Sequence, residues 1–185
     1  MEVKGTAVVV FNKFVARRFG PTDLMRCLEA LPAGSRAIME GRVDVNKWYP
    51  LQEAYLVPTE TLCRIFYDGD PRGAWELGRD SADYALSGIY SSLVKLTTVK
   101  LYVQRGSIML PNYYRPCRSQ TDLIEDGRAV IRLTEFPESH PLVEQRISGW
   151  MQRALEVRGC RDVKVVTPRA MSRGDRDTEF VITWE

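Results

Sequence analysis

The chain has one histidine in 185 residues, and its four cysteines, Cys27, Cys63, Cys117 and Cys160, stand too far apart for a CxxC pair or a zinc-finger spacing. The first scarcity leaves His140 as the sole candidate imidazole. The second points to free thiols, because a chain of this length buries a core without disulfide staples. No apolar run is longer than Ala7 to Phe11, far short of the roughly 20 residues that a membrane-crossing helix needs. The residues from Met1 to Gly5 show no signal-peptide pattern, so the expected location is cytoplasmic. Lys plus Arg number 26 against 24 acidic residues, a formal charge of +2 with no basic stripe, and no nucleic-acid footprint follows. Gly69, Gly73 and Gly78 are not followed by a GK[ST] triplet, which excludes a phosphate-binding loop of that type.

What is present is the composition of a soluble globule, 44% hydrophobic and 27% charged, without repeats or low-complexity linkers. A single domain over residues 1–185 is expected. Val3 to Val10 reads either as a short strand or as the start of a helix. Helix from about Thr6 is preferred, because Phe11, Phe14, Val15 and Phe19 share a face and Gly20-Pro21 ends it. Thr22 is a candidate cap for a second helix with Leu24, Cys27, Leu28 and Leu31 inward. Pro50 suits the first turn of a helix reaching about Phe66, with Pro58 bending it. Pro71 opens another after the Asp68-Gly69-Asp70 turn, in which Gly78 and Ala82 permit close approach of a neighbour. Helices over Ile89 to Leu96 and Thr98 to Tyr114 complete a helical layer over about 1–118.

Residues 119–185 read as hairpin, helix, hairpin. Ser119 to Ile124 and Ala129 to Phe136 flank Glu125-Asp126-Gly127. Leu142, Val143, Ile147, Trp150, Met151, Ala154 and Leu155 mark a long amphipathic helix stopped by Gly159. Val163 to Thr167 and Glu179 to Trp184 flank a turn at Gly174 and Asp175. The fold class is therefore α+β, with a C-terminal antiparallel sheet of about four strands.

The chemistry-bearing residues form no convincing constellation. His140 lies between Pro137 and Pro141, where it can cap the following helix, and no nucleophile pairs with it. The acidic pairs Asp68/Asp70, Asp80/Asp83 and Glu135/Glu138 lack a metal-binding pattern. Aromatic residues carry more information: Trp48, Tyr84, Tyr90, Tyr102 and Trp150 are candidates to line a small-molecule pocket, and most other aromatics pack the core. The stripe Phe11, Phe14, Val15 and Phe19 is the candidate face for self-association, with sealing of the chain's own core as the competing reading.

Lys4-Gly5, Arg18-Phe19-Gly20-Pro21, Trp48-Tyr49-Pro50, Leu77-Gly78-Arg79, Ser81-Ala82, Gly88-Ile89-Tyr90 and Phe136-Pro137-Glu138-Ser139-His140-Pro141 occur in order. Gly149-Trp150, Ala154-Leu155-Glu156, Arg173-Gly174-Asp175 and Glu179-Phe180 continue the series. With these the chain resembles the DUF2378 family of bacterial, mainly myxobacterial, proteins, over nearly its whole length. That family is similar in fold to haem-nitric-oxide-binding (HNOX) domains, 4-vinyl-reductase sensor domains and Bet3-like TRAPP subunits. The resemblance implies a helical sensor-like layer on an antiparallel sheet, and a homodimer.

Haem-binding relatives use a proximal histidine and a Tyr-x-Ser-x-Arg pattern. Here Tyr113-Tyr114-Arg115-Pro116-Cys117 departs from it. In the vinyl-reductase pattern cysteines around the last turn help bind zinc, and here Ala170 and Thr178 take those places. No cofactor and no metal are expected. The reading is a non-catalytic regulatory or interaction domain, homodimeric, holding a small apolar or aromatic ligand. A protein-binding scaffold with a filled pocket and an enzyme of unidentified class are the alternatives.

Overall fold

The computed structural model describes residues 1–86 and 98–185. Both readings of the N-terminus are realised in succession: β1 (Glu2–Lys4) runs directly into α1 (Gly5–Val8) and α2 (Val10–Phe19). Gly20, at φ 98°, ends α2 and also stands as the N-cap of α3 (Pro21–Glu29). Thr22, expected as that cap, lies inside the helix instead. Proline has no N–H to donate and a φ already fixed near the helical value, so Pro21 takes the first position and moves the boundary upstream. Next come α4 (Ala33–Glu40) and β2 (Trp48–Pro50).

Pro50 does not open a helix. It ends β2, an edge strand of a small antiparallel sheet ordered β2-β1-β3, with β3 at Tyr114–Arg115. An edge tolerates a residue that cannot donate to the ladder. The sequence does not reveal this sheet, because strands of two or three residues are too short to display a two-residue period. Gln52–Leu56 then forms a π-helical turn leading into α5 (Val57–Phe66). Pro58, expected to bend one continuous helix, cannot supply an N–H to the preceding turn, and the wider turn places it in the opening turn of α5.

Pro71 precedes α6 (Arg72–Ala85), and Thr98 caps α7 (Val99–Met109) by accepting the Leu101 N–H at 3.3 Å. The expected helix over Ile89 to Leu96 falls outside the described residues. The helix expected to continue to Tyr114 stops earlier: Leu110–Asn112 tightens to a 3₁₀ turn around Pro111, which frees Tyr114 for β3.

The main sheet has the order β4-β5-β7-β6, all antiparallel, from β4 (Arg118–Glu125), β5 (Arg128–Glu135), β6 (Lys164–Arg169) and β7 (Thr178–Thr183). Ile131 pairs with Phe180 and Ala129 with Ile182, and these side chains share one core with Val143, Ile147 and Met151 of α8 (Pro141–Arg158). Gly159 closes α8 in the left-handed region at φ 109°, with its N–H and that of Cys160 returned to Leu155. α6 crosses α8 at backbone distance. A Cβ placed on Gly78 would fall 2.1 Å from the Arg146 carbonyl oxygen, and one on Gly149 would fall 2.1 Å from that of Trp75.

The Phe11, Phe14, Val15 stripe is not a self-association face. All three side chains are buried in the chain's own core, and Phe19 stacks on Phe66 with ring centroids 4.1 Å apart. The helices α3, α5 and α6 pack around α2, so its apolar side is covered within the monomer.

The last hairpin is held by a buried carboxylate. Glu144 in the first turn of α8 accepts hydrogen bonds from Ser139 Oγ, Ser172 Oγ, the Ser172 N–H and Thr178 Oγ (2.8 Å). Thr178 in turn accepts from the Met171 N–H at 2.9 Å. Gly174 lies at φ 91° with nothing within 4 Å of an added Cβ, so conformational strain alone decides a substitution there. Gly174→Val is expected to cost about 2 kcal/mol, because a β-branched residue in the left-handed region is disfavoured by that order. Asp175→Ala removes one acceptor for the Ala170 N–H, 2.7 Å away, and is expected to cost about 1 kcal/mol. Urea denaturation midpoints check both, and equal midpoints for Gly174→Val and the unmodified protein would contradict the strain.

Candidate functional site

Between α6, α7, α8 and the inner face of β5 and β7 lies a cavity of about 810 Å³. Its position follows from the local sequence. The glycine crossing brings α6 and α8 together at Gly78 and Gly149, and beyond it Tyr84 of α6 and the following Leu86 line the space together with Tyr102, Val103 and Met109 of α7. Trp150, Met151 and Ala154 of α8 face the same space, with Ile131 and Ile182 from the sheet beneath.

At one end two phenols meet. Tyr55, on the π turn, and Tyr114, on β3, hydrogen-bond through their hydroxyls at 2.6 Å with rings nearly perpendicular, 5.7 Å between centroids. Burial, with Tyr55 beside it, raises the Tyr114 pKa well above the ordinary phenol value. Burial also pushes Tyr102 up to about 12. Tyr114 and Tyr102 are therefore neutral near pH 7. The Tyr102 hydroxyl is buried and has no hydrogen-bond partner among the described residues.

Arg146 comes from the middle of α8 and is only 2% exposed. Its guanidinium lies over the Tyr55 ring, 3.5 Å from the centroid, donates to Thr59 Oγ at 2.9 Å and reaches the Ala7 carbonyl at 3.3 Å. Thr59 can accept because its own hydroxyl proton goes to the Tyr55 carbonyl at 2.6 Å. The Arg146 Nε has no partner among the described residues.

Of the five aromatic residues expected at a pocket, Tyr84, Tyr102 and Trp150 line this cavity. Trp48 does not: it stands on β2 with the Arg115 guanidinium 4.3 Å and the Lys4 ammonium 4.9 Å from its ring. The strand pairing of Trp48 with Lys4 fixes it on the small sheet, away from the cavity. Tyr90 falls outside the described residues. Sequence reasoning missed Tyr55, Tyr114 and Arg146 as a group, since 59 residues separate the two tyrosines. Arg146 had a usable signal: it sits three residues after Val143 and four before Trp150, a charge on the apolar face of an amphipathic helix.

The reactive groups are elsewhere. His140 is the N-cap of α8, its Nδ1 accepting the Leu142 N–H at 3.2 Å, while Nε2 lies 3.6 Å from Glu60. Cys27 and Cys63 are buried in the helical layer, and burial pushes the Cys27 thiol up to about 11 and the Cys117 thiol up to about 12. None of the four cysteines lines the cavity. Among the described residues no three His, Cys, Asp or Glu side chains group to hold a metal ion, and no helix is long and apolar enough to cross a membrane.

No family model matches the chain, and no curated protein matches it in sequence. Solved structures do match in fold. The Fe(II) unliganded H-NOX protein from K. algicida superposes with a TM-score of 0.69 over 98% of this chain and 96% of that one, at 9% identity. The H-NOX protein from S. oneidensis in the Fe(II)NO ligation state gives a TM-score of 0.67 over 98% and 99%, at 12% identity. The chain therefore has the H-NOX-like α+β fold, as the sequence resemblance implied.

Proposed function

We propose that this protein is a non-catalytic regulatory domain that binds a small apolar or aromatic molecule in the cavity between α6, α7, α8 and the sheet. The observation that carries this reading is the cavity itself, about 810 Å³ walled by Tyr84, Tyr102, Trp150 and methionine and aliphatic side chains. Space of that size and lining suits a ligand of drug-like dimensions, and removing apolar ligand surface from water supplies the affinity. The H-NOX-like fold is compatible with a sensor role, and the DUF2378 resemblance belongs to the same proposal, as does a homodimer formed by some face other than the buried α2 stripe.

Haem held through imidazole or thiolate is left out of the ligand class on the chemistry of the donors. The sole histidine caps α8 and does not line the cavity, and no cysteine lines it either. An iron held by imidazole or thiolate has no ligand in this lining. Catalysis is left out because His140 and the four cysteines lie outside the described lining, so the cavity has neither an imidazole base nor a thiol nucleophile.

N-phenyl-1-naphthylamine, a neutral aromatic whose fluorescence rises in apolar surroundings, tests the reading. One molecule per chain is expected to bind saturably. Ala85 lines the cavity at the partly exposed end of α6, so Ala85→Trp should fill space without disturbing the core and weaken binding by about tenfold or more. Absence of saturable binding by both this probe and its sulfonated analogue, or binding indifferent to Ala85→Trp, would remove the proposal.

A further inference from the structure

We infer that the ligand of this cavity is an organic anion: an apolar or aromatic body carrying one carboxylate or sulfonate group, which Arg146 receives. This rests on the ligand-binding reading above and adds the charge of the ligand to it. Three observations converge. Arg146 is 2% exposed, yet no carboxylate lies within ion-pair distance of it among the described residues. Its hydrogen-bond partners are neutral, the Thr59 hydroxyl and the Ala7 carbonyl, and its Nε is left without one among the described residues. Among the described residues the cavity lining contains Arg146 and the more exposed Arg105 but no aspartate or glutamate.

A buried charge without a counter-charge is costly, and proteins ordinarily pair it or neutralise it. Arginine cannot take the second route, since it stays protonated at any physiological pH. The usual intramolecular solution is also missing from the sequence nearby: residues 87–97, which adjoin the end of α6, contain neither Asp nor Glu. What remains is a counter-ion from outside. The guanidinium has five N–H donors, and two are engaged by the bonds above, so donors remain for an oxyanion. A planar fork with free donors matches the two oxygens of a carboxylate or two of the three of a sulfonate.

The surroundings favour charge recognition over simple solvation. The Tyr55 ring lies 3.5 Å from the guanidinium carbon and holds its plane. Tyr102 and Tyr114 stay protonated, because burial raises both pKa values, so neither supplies the missing negative charge near neutral pH. The unpartnered Tyr102 hydroxyl is a further donor for a polar group on the ligand. Selectivity follows: a neutral molecule of the same shape leaves the arginine unpaired, whereas an anion completes it.

The experiment compares two probes with one aromatic skeleton, 8-anilino-1-naphthalenesulfonate and N-phenyl-1-naphthylamine, which differ by the sulfonate. Titrations are followed by fluorescence and by isothermal calorimetry on the full chain. The unmodified protein is expected to bind the sulfonate about tenfold or more tightly than the neutral probe, the gain of a charge-assisted hydrogen bond. Arg146→Met should abolish that preference, weakening the sulfonate by about tenfold while leaving the neutral probe within about twofold. Arg146→Lys, which keeps the charge and loses the fork, should fall between. Equal affinities for the two probes in the unmodified protein would overturn the anion assignment and leave the ligand-binding reading standing. That comparison needs no variant to fold. Parallel loss of both probes in Arg146→Met, with the circular dichroism spectrum retained, would also overturn it. Failure of both probes to bind the unmodified protein would remove the ligand-binding reading as well.

Discussion

Gly149→Ala is expected to destabilise the protein by about 3 kcal/mol or more, although it replaces a poor helix former by the best one. The propensity gain is about 1 kcal/mol. Against it stands the crossing of α6 and α8, where the new methyl carbon would lie 2.1 Å from the Trp75 carbonyl oxygen and 3.0 Å from its carbon. Neither obstacle is a flexible side-chain end. Backbone cannot rotate aside, so one helix must move by about 1.4 Å to restore ordinary contact near 3.5 Å, and the close-packed core on both sides of the crossing moves with it. Gly78→Ala meets the same obstacle from the other helix, 2.1 Å from the Arg146 carbonyl oxygen. The two changes should be less than additive, because helices already parted for one methyl accommodate the second more cheaply. Urea denaturation of both single variants and the double variant provides the measurement. A Gly149→Ala midpoint equal to that of the unmodified protein would mean that the crossing is looser than 2.1 Å implies.

The second large effect concerns Phe14, which the amphipathic pattern of α2 made a candidate for a dimer interface. Its side chain is 4% exposed, edge-on to Phe19 at 6.2 Å, and Phe19 is stacked on Phe66. Phe14→Glu removes a buried ring, a loss of about 3–5 kcal/mol for truncation alone, and puts an unpaired carboxylate in its place. A total above about 4 kcal/mol is expected, a large part of the 5–15 kcal/mol by which domains are ordinarily stable. The pH dependence distinguishes the causes. Burial raises the pKa of the new carboxyl in the folded state above its unfolded value, so protonation favours the folded variant. The difference in stability from the unmodified protein should shrink as the pH falls through the raised folded value toward about 4.3, and it should be largest at neutral pH. Phe14→Gln, which does not titrate, should show a constant deficit. Loss of a dimer with an unchanged thermal transition would return the stripe to an interface.

These two sites show where pattern reading reaches and where it stops. The face of α2 is visible in the three- and four-residue steps of its aromatics, but periodicity reports only that a face is apolar. Whether a neighbouring helix or a second chain covers it depends on where α3, α5 and α6 go. Gly78 and Ala82 likewise signal close approach without naming the partner, which proved to lie some seventy residues onward at Arg146 and Gly149.

The local grammar of the chain determined a good deal. Gly20, Pro71, Gly159 and Gly174 end or begin elements because glycine alone enters positive φ freely and proline alone brings a helical φ without an N–H. The two-residue alternation around Gly127 marked the β4-β5 hairpin, and the succession of helical and alternating segments indicated the α+β class that the H-NOX structures share. Tertiary structure decided the rest. The β2-β1-β3 sheet joins segments some 45 and 110 residues apart through strands too short to carry a pattern. The cavity and its arginine are set by the same kind of long-range meeting: Tyr55, Tyr114 and Arg146 occupy three different elements, and only their packing takes the guanidinium out of water without giving it a carboxylate among the described residues. Backbone preference acts within a few residues, whereas burial and charge pairing are properties of whatever the folded chain brings into contact.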